Sequence, residues 1–144
     1  MIYTALTRKA MRIAYDAHNG QFDRSGLPYI FHPYHIAEKM DDELSVCVAL
    51  LHDIVEDTPV TIDELEKEFP VEVTEAVLLL THEKETPYLE YICNIKASPL
   101  ALKVKLADLE HNSDFTRIPN ASYEDIERLR KKYESAKLIL TSEE

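Results

Sequence analysis

Apolar residues recur along this chain at helical spacing, and polar residues and prolines cut the pattern into short segments. Leu6, Ala10, Ile13, Ala14 and Ala17 form one stripe over 4–18, behind Thr4 as a cap and ahead of Asn19-Gly20 as a stop, which predicts a first helix. The loop QFDRSGLPYIF follows, with Ser25-Gly26 and Pro28 as turn signals. His32-Pro33 then opens a second helix to about residue 40, with proline near its first position. A third is expected over about 44–56, ended by Thr58-Pro59, because the residue before a proline disfavours helix. Thr61 with Glu64 is a capping-box pattern for a short helix to 68, and Pro70 starts another carrying Val73, Val77, Leu78 and Leu80. Residues 86–96 look helical, Ser98-Pro99 caps a helix through about 115, and Ser122 with Asp125 opens a long charged helix over 122–140. The acidic end Ser142-Glu143-Glu144 reads as solvated. No alternating strand pattern or internal repeat competes, so the expected fold class is all-α.

Composition agrees with one helical domain over 1–144, since two glycines and no tryptophan leave little room for hairpins or glycine-rich nucleotide loops. Asp and Glu number 27 against 16 Lys and Arg, a net charge of −11 that repels a long nucleic acid. A small phosphorylated ligand stays open, because one metal and a few local cations override the global field at short range. No segment is apolar enough for a membrane span. Cys47 and Cys93 lack CxxC spacing and nothing like a signal peptide leads the chain, so a reducing, cytoplasmic setting is expected.

One stretch breaks the apolar rule. VALLHDIVEDT carries His52, Asp53, Glu56 and Asp57 at the end of an otherwise core-like helix. Burying carboxylates beside an imidazole is costly unless a cation neutralises them. In a continuous helix His52 would lie under Glu56 and Asp53 under Asp57, a single polar corner. A His-Asp pair alone means little. Here it is joined by His32 and by Asp108 in the apolar context VKLADLEHN, a set of two imidazoles and two carboxylates. Mixed nitrogen and oxygen donors suit a borderline divalent metal such as Mn, Fe, Co or Zn.

The stretches AYDAHNGQ, SGLPYIFHP, VALLHDIVEDT, FPVEVTEAVLLLTHEK and VKLADLEHN, in this order, resemble the HD-domain phosphohydrolases. More narrowly they resemble the alarmone-hydrolase branch, which includes the hydrolase half of RelA/SpoT proteins and small stand-alone hydrolases. The similarity spans about 3–118. It implies an HD-domain helical bundle and a metal, usually Mn²⁺ in that branch, held by His32, His52, Asp53 and Asp108. It also assigns Glu56 and Asp57 to activating or positioning the attacking water and Asn112 to the nucleotide. The implied reaction removes the 3′-pyrophosphate from guanosine penta- or tetraphosphate. Bottom-up chemistry is consistent, since a carboxylate not used as a ligand can take a proton and an amide can bond a ribose or base without adding charge.

The substrate-reading positions depart from that branch. Where its loop usually carries Arg-Lys before SG, this chain has Asp23-Arg24; Arg24 can still neutralise phosphate, but Asp23 cannot stack as a guanidinium does. ADRLHNMRT is replaced by ADLEHNSDF, so two arginines become Leu109 and Asp114 and a threonine becomes Phe115. These differences keep open an HD phosphohydrolase of another nucleotide, such as NADPH or a deoxynucleotide; a non-catalytic metal- or nucleotide-binding module is a separate alternative, against which the retained Glu56 and Asp57 argue. Lys105 would reach either a phosphate or an apolar flank. His18 and His111 are expected to be structural hydrogen-bonders, His35 and His82 structural or exposed, and Tyr29 a core aromatic with its hydroxyl bonded. The charged run after 122 reads as a solvated face whose apolar stripe leaves a homo-oligomer open.

Overall fold

A computed structural model describes residues 1–143, so of the acidic end Glu144 lies outside the described residues. The chain forms helices α1 (Ala5–His18), α2 (Phe31–Glu38), α3 (Glu43–Leu51), α4 (Ile54–Asp57), α5 (Ile62–Glu66), α6 (Val71–Leu79), α7 (Tyr88–Ile95), α8 (Pro99–Asn112) and α9 (Tyr123–Thr141). Caps set most of their starts: Thr4, Asp42, Thr61, Ser98 and Ser122 each accept a backbone N–H with a side-chain oxygen, which satisfies a donor the first turn leaves unpaired.

α3 is the axis of the bundle. Val46, Cys47, Val48, Ala49, Leu50 and Leu51 are all buried, so this helix is apolar on every side and must be wrapped by others. α1, α2, α6 and α8 surround it. Ala10 and Ala14 on α1 have small side chains that let that helix approach closely, and Ile36, Val73, Val77 and Val104 fill the remaining faces. α9 closes the far side against α7 and α8, burying Ala136 and Leu140.

Two boundaries differ from the sequence expectation, both beside the polar residues. The third helix does not run unbroken to 56; it ends at Leu51, and α4 restarts at Ile54 after a turn at His52 and Asp53. Two features account for the break: Asp53 adopts φ −100° and ψ 0°, and the His52 ring donates from Nδ1 to the Ala49 carbonyl at 2.6 Å. α8 stops at Asn112 rather than near 115, and Asp114 caps a short 3₁₀ turn, Phe115–Arg117, with its own carboxylate.

Candidate metal and nucleotide site

The buried end of α3 carries His52 inward, and the adjoining turn brings Asp53 beside it. His32 arrives from the first turn of α2, where Pro33 costs no helical hydrogen bond, and Asp108 from the last turn but one of α8. Donor atoms of His32, His52 and Asp53 all lie within 4.8 Å of one another. Asp108 Oδ1 is 2.8 Å from His32 Nε2 and 3.5 Å from His52 Nε2. The two imidazoles and two carboxylates singled out in the sequence thus meet, although they come from three separate parts of the chain.

This set fits a divalent cation. His52 Nε2 is buried without a hydrogen-bond partner, and it lies 3.0 Å from Asp53 Oδ2 out of hydrogen-bond alignment. Because its Nδ1 carries the proton given to Ala49, a neutral His52 aims a lone pair from Nε2 at the carboxylates. A positive centre among these atoms resolves that conflict. Burial opposes charge on His52, yet Asp53 and Asp108 outweigh it and hold its pKa well above the usual imidazole range. Burial likewise works against the Asp53 carboxylate, but His52 holds it down at about 2. Asp108 is held well below the ordinary range, because Lys105 and the two imidazoles overcome its burial.

Two of these side chains are themselves held. The Tyr29 hydroxyl donates to Asp53 Oδ2 at 2.5 Å, and burial together with Asp53 raises the phenol pKa so that it stays a donor. Lys105 Nζ donates to Asp108 Oδ2 at 2.9 Å and Asn112 Nδ2 to Asp108 Oδ1 at 3.2 Å. Lys105 and Asn112, expected at the substrate, therefore also grip a carboxylate of the metal set.

Beside these groups opens a cavity of about 450 Å³, lined by Asp53, Asp108, Tyr29 and His32 at its floor. Glu56 and Asp57 stand on its wall. They do not extend a continuous helix from His52, because the turn intervenes. Glu56 Oε1 accepts the backbone N–H of His82 at 2.6 Å, and Gln21 Nε2 donates to the Asp57 carbonyl at 2.8 Å. Burial, then the charges of Asp53 and Glu56, push the Asp57 carboxyl up to about 6. At the rim, Arg24 pairs with Asp125 of α9 at 2.8 Å.

Several lining residues were missed in the sequence. Phe22, 64 % exposed, stands at the mouth, Arg117 comes from the 3₁₀ turn, and Leu129 and Tyr133 come from α9. Only the last two had a signal, the apolar spacing of Ile126, Leu129, Tyr133 and Ala136, and that reads equally well as plain packing. The neighbouring carboxylates of Asp23 and Asp114 are occupied in turns: Asp23 Oδ1 accepts from the amides of Ser25 and Leu27, and Asp114 Oδ1 from that of Thr116.

The sequence pattern of the HD domain matches residues 10–131. The chain belongs to the HD domain family. Relatives of this HD domain include a guanosine-3′,5′-bis(diphosphate) 3′-pyrophosphohydrolase of Haemophilus influenzae, 49% identical over 69 residues, which are 45% of this chain and 10% of that protein. The bifunctional (p)ppGpp synthase/hydrolase SpoT of Escherichia coli is 38% identical over 121 residues, 73% of this chain and 17% of SpoT. The HD domain thus spans only a small part of these much longer relatives. A solved structure described as a metazoan ortholog of SpoT that hydrolyzes ppGpp superposes with a TM-score of 0.84 over 99% of this chain and 89% of its own, at 24% identity. That likeness shows the fold to be the all-α HD bundle. Among the described residues no helix is long and apolar enough to cross a membrane.

Proposed function

We propose that this protein is a divalent-metal phosphohydrolase of a small nucleotide, with guanosine 3′,5′-bis(diphosphate) as substrate. The observation that carries the reading is the meeting of His32, His52, Asp53 and Asp108 next to a cavity whose wall holds Glu56 and Asp57. The similarity to proteins named for that hydrolysis supports the choice of substrate. The four ligands would hold Mn²⁺, with Fe, Co and Zn in the same borderline class. Such an ion, when bound, lowers the pKa of water and offsets charge on a phosphoryl oxygen.

The chain's own groups do the rest. Asp57, with a pKa near 6, is a base at neutral pH and takes a proton from the attacking water. Glu56 is anchored through one oxygen by the His82 amide, which leaves the other to orient that water. The water oxygen bonds to the phosphorus attached to the ribose 3′ oxygen, and the bond to that oxygen breaks. The 3′ oxygen gains a proton, leaving guanosine 5′-diphosphate and pyrophosphate. Phe22 offers an aromatic face to the base, and Arg24 and Arg117 bring positive charge for the 5′ phosphates. A cytoplasmic setting belongs to the same reading, with Cys47 and Cys93 as free thiols.

A second reading rests on Asp23 and Asp114. Their carboxylates stand on the cavity wall, where they oppose a highly charged 5′ end and favour another phosphorylated nucleotide, such as NADPH or a deoxynucleotide. Incubation of the purified protein with Mn²⁺ and ppGpp tests both. Pyrophosphate with guanosine 5′-diphosphate is the expected result. Bound metal without those products, and phosphate released from another nucleotide, would replace the first reading by the second.

A further inference from the structure

We infer that His111 is a positioning residue for the metal set, the hydrogen-bond acceptor that fixes the ring of His32. The inference rests on the metal-site reading and concerns a group that does not face the reacting atoms. His32 Nδ1 and His111 Nδ1 are 2.8 Å apart, and the two ring planes differ by only 10°. The other nitrogen of His32, Nε2, points to Asp108 and Asp53. A neutral imidazole offers a lone pair at one nitrogen only when its proton sits on the other. For His32 Nε2 to hold a metal, Nδ1 must therefore carry the proton and donate it to His111. That requires a neutral His111 with its own proton on Nε2.

The surroundings hold the His111 ring in place. The His35 ring stacks on its face with centroids 3.9 Å apart, and Arg117 Nη1 donates to the His111 carbonyl at 3.0 Å. The two histidines of the set are thus oriented by different means. His52 donates to a main-chain carbonyl, which no side-chain substitution removes, whereas His32 depends on a side chain.

The test compares the full-length protein with His111→Phe, which keeps a ring against His35 but has no acceptor, and His111→Gln, which restores one. The measurements are the affinity for Mn²⁺ alone by calorimetry near neutral pH and the thermal midpoint without metal. His111→Phe is expected to bind Mn²⁺ about 10- to 100-fold more weakly. His111→Gln should recover most of that loss. Wild-type affinity in His111→Phe, or a loss in His111→Gln as large as in His111→Phe, would overturn the inference. Nitrogen-15 spectra of the wild-type imidazoles, with Zn²⁺ as a diamagnetic probe, decide the matter even if a variant fails to fold. The proton should appear on His32 Nδ1 and on His111 Nε2; the reverse placement at His111 would refute the assignment. Absence of ppGpp turnover with these metal and spectroscopic results intact would remove the proposed substrate and leave the positioning role standing.

Discussion

Asp57 combines a cost in stability with the base role proposed for it. Its carboxyl is raised from 3.8 to about 6 by burial, Asp53 and Glu56. The folded state therefore prefers the protonated form: the contribution to stability is complete below the unfolded value and is lost as pH rises through about 6. Above that pH, Asp57→Asn should raise the thermal midpoint of the metal-free protein while lowering turnover by about 10²- to 10⁴-fold, the usual worth of a positioned base. Thermal melts and rate assays on the same preparation check both halves; a variant that stays active is not missing its base. Glu56→Gln should lose turnover while keeping metal affinity, and an active Glu56→Gln would return that residue to a structural role. Phe22 belongs to the same scale. Its exposed ring makes no contribution to the core, so Phe22→Ala should leave the thermal midpoint nearly unchanged. A lost base stack should raise KM by roughly 5- to 100-fold with little change in kcat, which steady-state kinetics would read directly.

Among the elements, the break between α3 and α4 and the placement of α9 matter most. A helix running straight through His52 and Asp53 would follow the sequence pattern, but the turn is what lets both side chains reach His32 and Asp108. Ile54, fully buried directly after the turn, pins it to the core. Replacing Ile54 by Ala should cost about 2–5 kcal/mol by denaturant titration. Metal affinity should fall as well, because the turn loses its anchor. α9 reads in sequence as a charged outer helix, yet it supplies Leu129 and Tyr133 to the cavity and ties Arg24 through Asp125. That ion pair is exposed to solvent, so breaking it costs the fold little. Asp125→Asn should free the Arg24 guanidinium for a phosphate and lower KM for a nucleotide; an unchanged or higher KM would mean that the pair orients Arg24 rather than detains it.

At the scale of the whole molecule, the net charge of −11 and the carboxylates gathered around Asp53 and Asp108 make bound cations stabilising. A divalent ion present at about a hundredfold over its Kd should add about 2.7 kcal/mol. For a domain of this size that is a rise of roughly 5–10 °C in Tm. Chelation should reverse it, and Asp53→Asn should abolish it. A melt indifferent to Mn²⁺ and chelator would argue against the metal set.

The sequence by itself determined the all-α class and most helix limits and singled out His32, His52, Asp53 and Asp108, because those signals are local or chemically unusual. Thr4, Ser98 and Ser122 cap helices whatever packs around them, and His52-Asp53 with two acidic neighbours is out of place in an apolar segment. Tertiary structure decided what each polar group faces. Lys105 and Asn112 turn to Asp108, Arg24 to Asp125 and Tyr29 to Asp53, choices made by proximity of segments far apart in sequence. The helix break has the same origin: spacing cannot tell a straight helix from one whose last histidine bonds back to its own backbone while the next carboxylate lies near the His32 imidazole of α2. Periodicity records which face is apolar, whereas hydrogen bonds and charges find their partners only when the helices have packed.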